Sequence, residues 1–487
     1  MYQQKSKRRQ LLARTFVYSF MTLSVITIVV VLMLVILGYS FNRQDGRLEQ
    51  GGLLQFSSIP SGASVTLDDS IQSSLTPSKA SVDARSHSVI MKKANYRSWQ
   101  KTISVTAGSI GWLSYARLIP NDVATESLRT FPQVAAAVSS PDRKWMAIHE
   151  DGTSPTFSLV NIESTTPRYT TMTIPSASMT AAQTEAPQSF VIDSWSNNEN
   201  YLLIKRTYDT DKSEWIVLDR ADPQRSVNIT STFAINVSKV VFGERGGRDL
   251  YVQTDDIVRR VNLDDKTLSN ALVANVAEYA VYDQSTVVYV TAPDPSNDNQ
   301  RSIGYIQQGM DQAETIRLYP GETTNLHVAL GEYFDKRYVA ITHGQSLELL
   351  SGTLPRGNTK ADLRSEMSHT MKSADVKLTM SRNGRFVLTQ DSAGYSAYDI
   401  ELKKTDATTF KSPAAVDRPL QWIDDYTIWS GSGDVLRFYD FDGANQQDIM
   451  PIVEGLSVAV SGDNKYVYGL TRTDNGIVFQ RGKLILN

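Results

Sequence analysis

The chain has 487 residues, enough for about two to four folding units rather than one core. Hydrophobic residues make up 41% and charged residues 21%, and 49 Lys and Arg against 52 Asp and Glu leave a net charge of -3, so the basic stripe that a nucleic-acid binder needs to neutralise phosphates is missing and no nucleic-acid partner is expected. The absence of cysteine removes disulfides, thiolate metal sites, a cysteine nucleophile and a lipid-modified N-terminal cysteine, which leaves packing and backbone hydrogen bonds to stabilise the fold.

At the start of the chain Lys5, Lys7, Arg8, Arg9 and Arg14 precede an uncharged run over 16–38, which spans ~35 Å as a helix, enough to cross a bilayer. A transmembrane helix is expected there, with the lipid bilayer as its partner. The run is longer than the roughly 7–15 residues of a signal-peptide core, and no small-x-small cleavage site follows, which favours an uncleaved anchor over a cleavable signal. The basic residues before the span, against Arg43, Asp45, Arg47 and Glu49 after it, predict residues 1–15 in the cytoplasm and everything from about Ser40 onward outside the membrane. Residues 39–51, polar and with two glycines, read as a linker.

From Gly52 to Pro120 the pattern becomes short alternating segments, LLQFSSI, ASVTLDD, SVIMKKA, KTISVTAG and WLSYARLI, separated by Ser-, Pro-, Asp- and Gly-containing turns. These suit half-buried strands of a small β-sandwich over 52–120. The order Pro60-Ser61-Gly62-Ala63, a strand ending at Asp68, Thr76-Pro77, His87, Asn95-Tyr96, Trp99 and Val105-Thr106-Ala107-Gly108 resembles the PEGA domain family. Asp69 and Asn95 stand where that family usually has glycine; both residue types tolerate a left-handed backbone. The resemblance implies a small non-catalytic sandwich of the kind found in extracytoplasmic proteins, with His87 as a structural strand position.

After a second expected linker, 121–133, a short frame recurs. Ser140-Pro-Asp-Arg-Lys-Trp145, Ser196-Asn-Asn-Glu-Asn-Tyr201, Ser381-Arg-Asn-Gly-Arg-Phe386 and Ser461-Gly-Asp-Asn-Lys-Tyr466 share Ser, any residue, Asp or Asn, any residue, a usually basic residue and an aromatic. Looser copies start at Phe242, Tyr282, Phe334 and Trp422. Ser with Asp or Asn closes a tight turn, and the aromatic opens the next strand and packs on a neighbouring sheet. A second repeat, Val160-Asn-Ile-Glu, Val217-Leu-Asp-Arg, Val261-Asn-Leu-Asp, Tyr398-Asp-Ile-Glu and Tyr439-Asp-Phe-Asp, reads as the turn after a third strand. From Trp145 to Tyr466 the seven steps average about 46 residues, the length of a four-stranded blade. The expected fold class is therefore mostly β: a transmembrane helix, a PEGA-like sandwich and a β-propeller over 134–487, with seven or eight blades and eight preferred. The propeller frame is similar to the divergent TolB-like group rather than to strict WD40 repeats; a different all-β arrangement is the alternative.

The stretches 175–189, 292–300 and 354–373 are rich in Ser, Thr, Pro and Asn and read as mobile surface loops, sites of binding or of tolerated insertion. His87, His149, His327, His343 and His369 lie far apart without metal-ligand spacing, and no nucleophile elbow or phosphate loop is present. Gly243-Glu-Arg-Gly-Gly-Arg reads as a turn, and Asp440-Phe-Asp-Gly-Ala-Asn fits a hairpin better than a calcium loop. Asn228 and Asn236 match the glycosylation triplet, a pattern that also arises by chance. No catalytic, cofactor-binding or metal-ligating residue is assigned and no cofactor is expected; carboxylates from different blades that meet in the propeller channel remain an open route to catalysis. The expected function is a non-enzymatic, membrane-anchored scaffold of the cell envelope whose propeller binds a protein or cell-wall partner. The alternatives are a tethered propeller enzyme acting on glycans or peptides, and a structural subunit of an envelope complex.

Overall fold

The repeated serine turn is built from local bonds that its residues supply themselves. In each of the four full copies the Ser N–H donates to the carbonyl of the aromatic five places on (2.8–2.9 Å), and the N–H three places on donates back to the Ser carbonyl (2.8–3.0 Å). The Ser hydroxyl accepts from the aromatic's N–H in all four. In three of them it also donates at 2.7 Å to the side chain two places on, Asn198, Asn383 or Asp463. The fourth position is left-handed in every copy, with φ of +60° at Arg143, +60° at Glu199, +72° at Gly384 and +59° at Asn464, and only Gly384 and Asn464 are residue types that favour it. In the first turn Glu199 of the next repeat takes the hydroxyl bond in place of Asp142.

The computed structural model describes residues 7–36, 38–42, 47–163, 166–243, 246–283, 285–355, 360–416 and 420–486, divided into two units, 1–121 and 122–487. In the second unit each turn joins the first and second strands of a four-stranded antiparallel sheet, and eight such sheets follow one another. Seven are consecutive in the chain: 136–173, 189–228, 239–268, 276–319, 327–370, 377–409 and 421–451. The eighth combines three strands within 459–483 with Thr125–Phe131, which pairs antiparallel with Gly476–Lys483 as the outermost strand. Residues expected as a linker over 121–133 thus contain the strand that closes the ring. Its burial pattern is exposed along most of its length, so its sequence carries no strand signal.

Burial explains why the sheets form a ring. Each successive pair of blades from the first to the seventh shares one apolar cluster, and another joins the first blade to the eighth. The seventh and eighth meet through Gln480 Nε2 donating to the Pro451 carbonyl at 2.8 Å and Val453 N–H to the Leu470 carbonyl at 2.7 Å. Every sheet hides both faces against neighbours, which a four-stranded sheet cannot do alone. All eight copies of the serine frame, including the faint one at Tyr282, fall at the first turn of a blade. Asn161, Asp219, Asn262, Asp399 and Asp440 each end a third strand, as the second repeat predicts. Asp440–Asn445 is a hairpin turn, with Gly443 N–H bonded to the Asp440 carbonyl.

Two of the three expected loops differ from expectation. Residues 354–373 include Asp362–Thr370, the fourth strand of the fifth blade; residues 356–359 lie outside the described set. The stretch 175–189 is tethered: Glu214 accepts from Thr180 N–H, Arg206 donates to the Thr180 carbonyl and to Gln188, and Asp209 accepts from the Gln183 and Thr184 N–H groups. Arg206 and Glu214 form a buried ion pair to which Asn228 donates at 2.7 Å, so the Asn228 amide is committed to packing.

In the first unit, helix Lys7–Ile36 begins before the expected 16–38 span and carries the apolar stretch 14–34, long enough to cross a membrane. Residues 1–6, within the expected tail, lie outside the described set. The expected linker 39–51 contains two paired strands, Tyr39–Asn42 and Arg47–Gln50. Beyond it a three-stranded sheet (Ser78–Val82, Gly52–Ile59, Ile110–Arg117) faces a four-stranded one (Ser70–Ile71, Ser64–Leu67, Ser86–Lys92, Trp99–Ser104). Leu54, Phe56, Val65, Val89, Met91, Trp99 and Leu113 fill the space between them. Asp69 and Asn95 have φ of +67° and +69°, the conformation that glycine would otherwise supply.

Candidate functional site

The innermost strand of each blade lines the ring's central channel, where its residues alternate between buried and open, as in Ser189–Trp195. Strand geometry therefore turns the open set, distant in sequence, toward one space. Five ionisable side chains arrive there from five consecutive blades: Asp193, Lys239, Glu278, His327 and Lys377. His327 Nδ1 lies 2.6 Å from Glu278 Oε2. Lys239 donates to the Tyr279 carbonyl at 2.7 Å and sits 4.6 Å from the centre of the Tyr279 ring.

The walls desolvate these groups, and their charges answer one another. Burial would raise the Glu278 carboxyl, but the His327 hydrogen bond and the charges of His327, Lys239 and Lys377 outweigh it and hold the group below the usual carboxylate range. Burial pushes the Asp193 carboxyl up, with the Ser194 hydroxyl, Lys239 and Lys205 opposing only in part. Burial also depresses the Lys239 ammonium; Lys377 adds to this and Glu278 and Asp193 resist it.

A cavity of about 900 Å³ lies at the serine-turn end, where the innermost strands of the seventh and eighth blades are only Gln421–Trp422 and Ala459–Val460. Trp195, Trp429, Arg382, Asp193 and Asp425 are among its lining residues. The first turn reaches over this mouth: Arg143 Nη1 donates to the Ile423 carbonyl at 3.1 Å, and Asp142 lies 3.7 Å from Arg382.

Of the five histidines, only His327 belongs to the channel cluster. His87 bridges Asp68 and the Asp83 carbonyl inside the small sandwich, His149 is buried against Phe157, His343 packs on Tyr319, and His369 sits on an outermost strand. Among the described residues no three His, Asp or Glu side chains are grouped to hold a metal ion. The channel residues escaped the sequence reading because each is a single charge in an otherwise ordinary strand. Their shared signal is an ionisable residue on the strand just before the repeated turn.

Sheet order, ring closure and channel define an eight-bladed β-propeller. Ahead of it, residues 52–117 match the family described as PEGA domain. No curated protein matches the chain. Similar solved structures include an oligogalacturonate lyase in complex with manganese (10% identity, 73% of this chain and 99% of that one, TM-score 0.42). Another is the β-propeller domain of Cps50 (Swd1) from Myceliophteria thermophila (12% identity, 69% and 100%, TM-score 0.40). A third is Porphyromonas gingivalis dipeptidyl peptidase 4 (12% identity, 72% and 57%, TM-score 0.44).

Proposed function

We propose that this chain is a single-pass, membrane-anchored binding protein of the bacterial cell envelope. Its N-terminus lies in the cytoplasm, the apolar helix anchors it, and the sandwich and propeller stand outside, where the channel receives a protein or cell-wall partner. The observation that carries this reading is the channel itself: polar, charged on five blades and open into a cavity of about 900 Å³, within the volume range of ligand pockets. A photo-reactive amino acid at Val191, which is exposed on an innermost strand, tests it in living cells, with Thr171 on an outermost strand as control. Adducts from Val191 and none from Thr171 are expected; equal capture, or none, refutes the channel as the binding site. Protease added to wall-stripped cells is expected to remove the propeller and spare the N-terminal tail, and a protected propeller refutes the topology.

A second reading is a tethered enzyme acting on glycans or peptides, since the innermost strands of the second and fourth blades bring two carboxylates, Asp193 and Glu278, to the channel. Burial pushes Asp193 up while His327 and the lysines hold Glu278 down, the directions that an acid and a base require. Under that reading Asp193→Asn abolishes turnover of a channel-bound glycan or peptide while leaving its capture unchanged; turnover that persists refutes it.

A further inference from the structure

One end of the channel gathers more cationic and donor groups than its own packing uses. Lys239, His327 and Lys377 are each the first residue of an innermost strand and Glu278 is the third of its own, so four consecutive blades deliver them to the same end of the ring. Glu278, bonded to His327, is the carboxylate on which the charges of Lys239 and Lys377 also act. The contact pair stays accessible, His327 at 35% and Glu278 at 38%.

We infer that this level of the channel binds an oxyanion, the carboxylate or phosphate group of an entering ligand, and that Glu278 is its resident occupant. The inference rests on the reading of the channel as a binding site and names the chemistry that site takes.

The donors are in place. An ammonium has three N–H groups, and Lys239 uses one of them, on the Tyr279 carbonyl. The Lys377 ammonium is exposed and, among the described residues, makes no side-chain hydrogen bond or ion pair; His327 engages Glu278 through Nδ1, which leaves Nε2 without a partner among the described residues. Surroundings that keep Glu278 ionised against its own desolvation are surroundings that favour a second oxyanion of the same geometry. Lys239 and Lys377 repel each other, and an added anion between them relieves that repulsion. Charge-assisted bonds of this kind are the strong class of hydrogen bond.

The test uses the full chain in detergent micelles with ¹⁵N-labelled histidine. Five histidines give few signals, and His327→Gln assigns the relevant one. Inorganic phosphate and acetate are titrated separately. Saturable movement of the His327 signal with either anion is expected, while His87, His149, His343 and His369 stay still and report that each variant is folded. Lys377→Gln is expected to weaken binding about tenfold, the loss of one charge-assisted hydrogen bond. Glu278→Gln, which empties the resident charge, is expected to tighten it severalfold. No saturable His327 response to either anion up to about 50 mM overturns the inference. So does an unchanged affinity in Lys377→Gln, or weaker binding in Glu278→Gln. Capture from Val191 in cells without a His327 response refutes this inference alone; a His327 response without capture refutes the binding-protein reading alone.

Discussion

Replacing Phe386 by alanine probes the idea that sheets close into a ring because their apolar faces have nowhere else to go. Phe386 opens the second strand of the sixth blade and is 0% exposed. Its ring stacks on Phe441 of the seventh blade at 4.2 Å between centroids and on Trp422 at 6.0 Å, and meets Tyr426 edge-on at 5.7 Å. Truncation removes a buried phenyl and three aromatic contacts while leaving the bond from the Phe386 N–H to Ser381 in place. Such a change costs about 3–5 kcal/mol. The ring unit runs from Asp122 to Asn487. At about 2.1 cal/mol/K of unfolding entropy per residue, a unit of this size shifts by about 1.3 °C per kcal/mol, so the expected fall in Tm is about 5 °C. Trp145, the equivalent residue of the first blade, is only half-buried and lies 4.4 Å from the Arg220 guanidinium. Trp145→Ala is therefore expected to cost about 1–2 kcal/mol, from partial burial and one cation–π contact. Calorimetry on the solubilised protein, checked by urea unfolding, measures both. A Phe386→Ala shift within error of zero, or one no larger than that of Trp145→Ala, refutes the placement of this aromatic as the plug between blades.

Phe131, on the closing strand and buried between the first and eighth blades, is expected to cost about 3–5 kcal/mol on replacement by alanine. A chain beginning at residue 132 is expected to elute as aggregate in size-exclusion chromatography where one beginning at 122 does not, because the strand Gly476–Lys483 is left as an open edge. Glu214→Ala strands Arg206 in a buried site and is expected to destabilise by about 3–5 kcal/mol. The same variant is expected to speed proteolysis within 180–188, and wild-type cleavage rates there refute the tether. Burial acts to raise the Asp209 carboxyl, but the Gln183 and Thr184 N–H groups, the Thr184 hydroxyl and Lys212 bring it down to about 2. A depressed folded pKa means that this tether is fully present above the unfolded value, near 3.9, and is lost as pH falls toward about 2. Amide exchange at Gln183 and Thr184, corrected for intrinsic rate, is expected to lose protection between pH 4 and 2 and to stay constant from pH 5 to 7.

The serine turns were legible because they are self-contained: Ser140, Ser196, Ser381 and Ser461 complete their hydrogen bonds almost entirely within six residues. The outermost strands were not legible. Asp362–Thr370 and Lys404–Thr409 are polar on both sides because only one edge and little of either face is covered, and such a strand has the composition of a loop. Thr125–Phe131 adds a second difficulty, since its partner strand lies at the far end of the chain. The same distance hid the channel cluster. Glu278 and His327 touch only because consecutive blades bring their innermost strands together, and neither sits in a local motif.

What this sequence determined alone is local chemistry: an apolar run long enough for a bilayer, a signature of short strands after it, and one turn written eight times at blade spacing. Folding in three dimensions decided how many of those sheets close, which strand completes the last of them, and which charges face each other inside. The division has a physical cause, since a turn is paid for by its own neighbours in the chain, whereas closure and electrostatic pairing depend on surfaces that meet only after every blade has found the next.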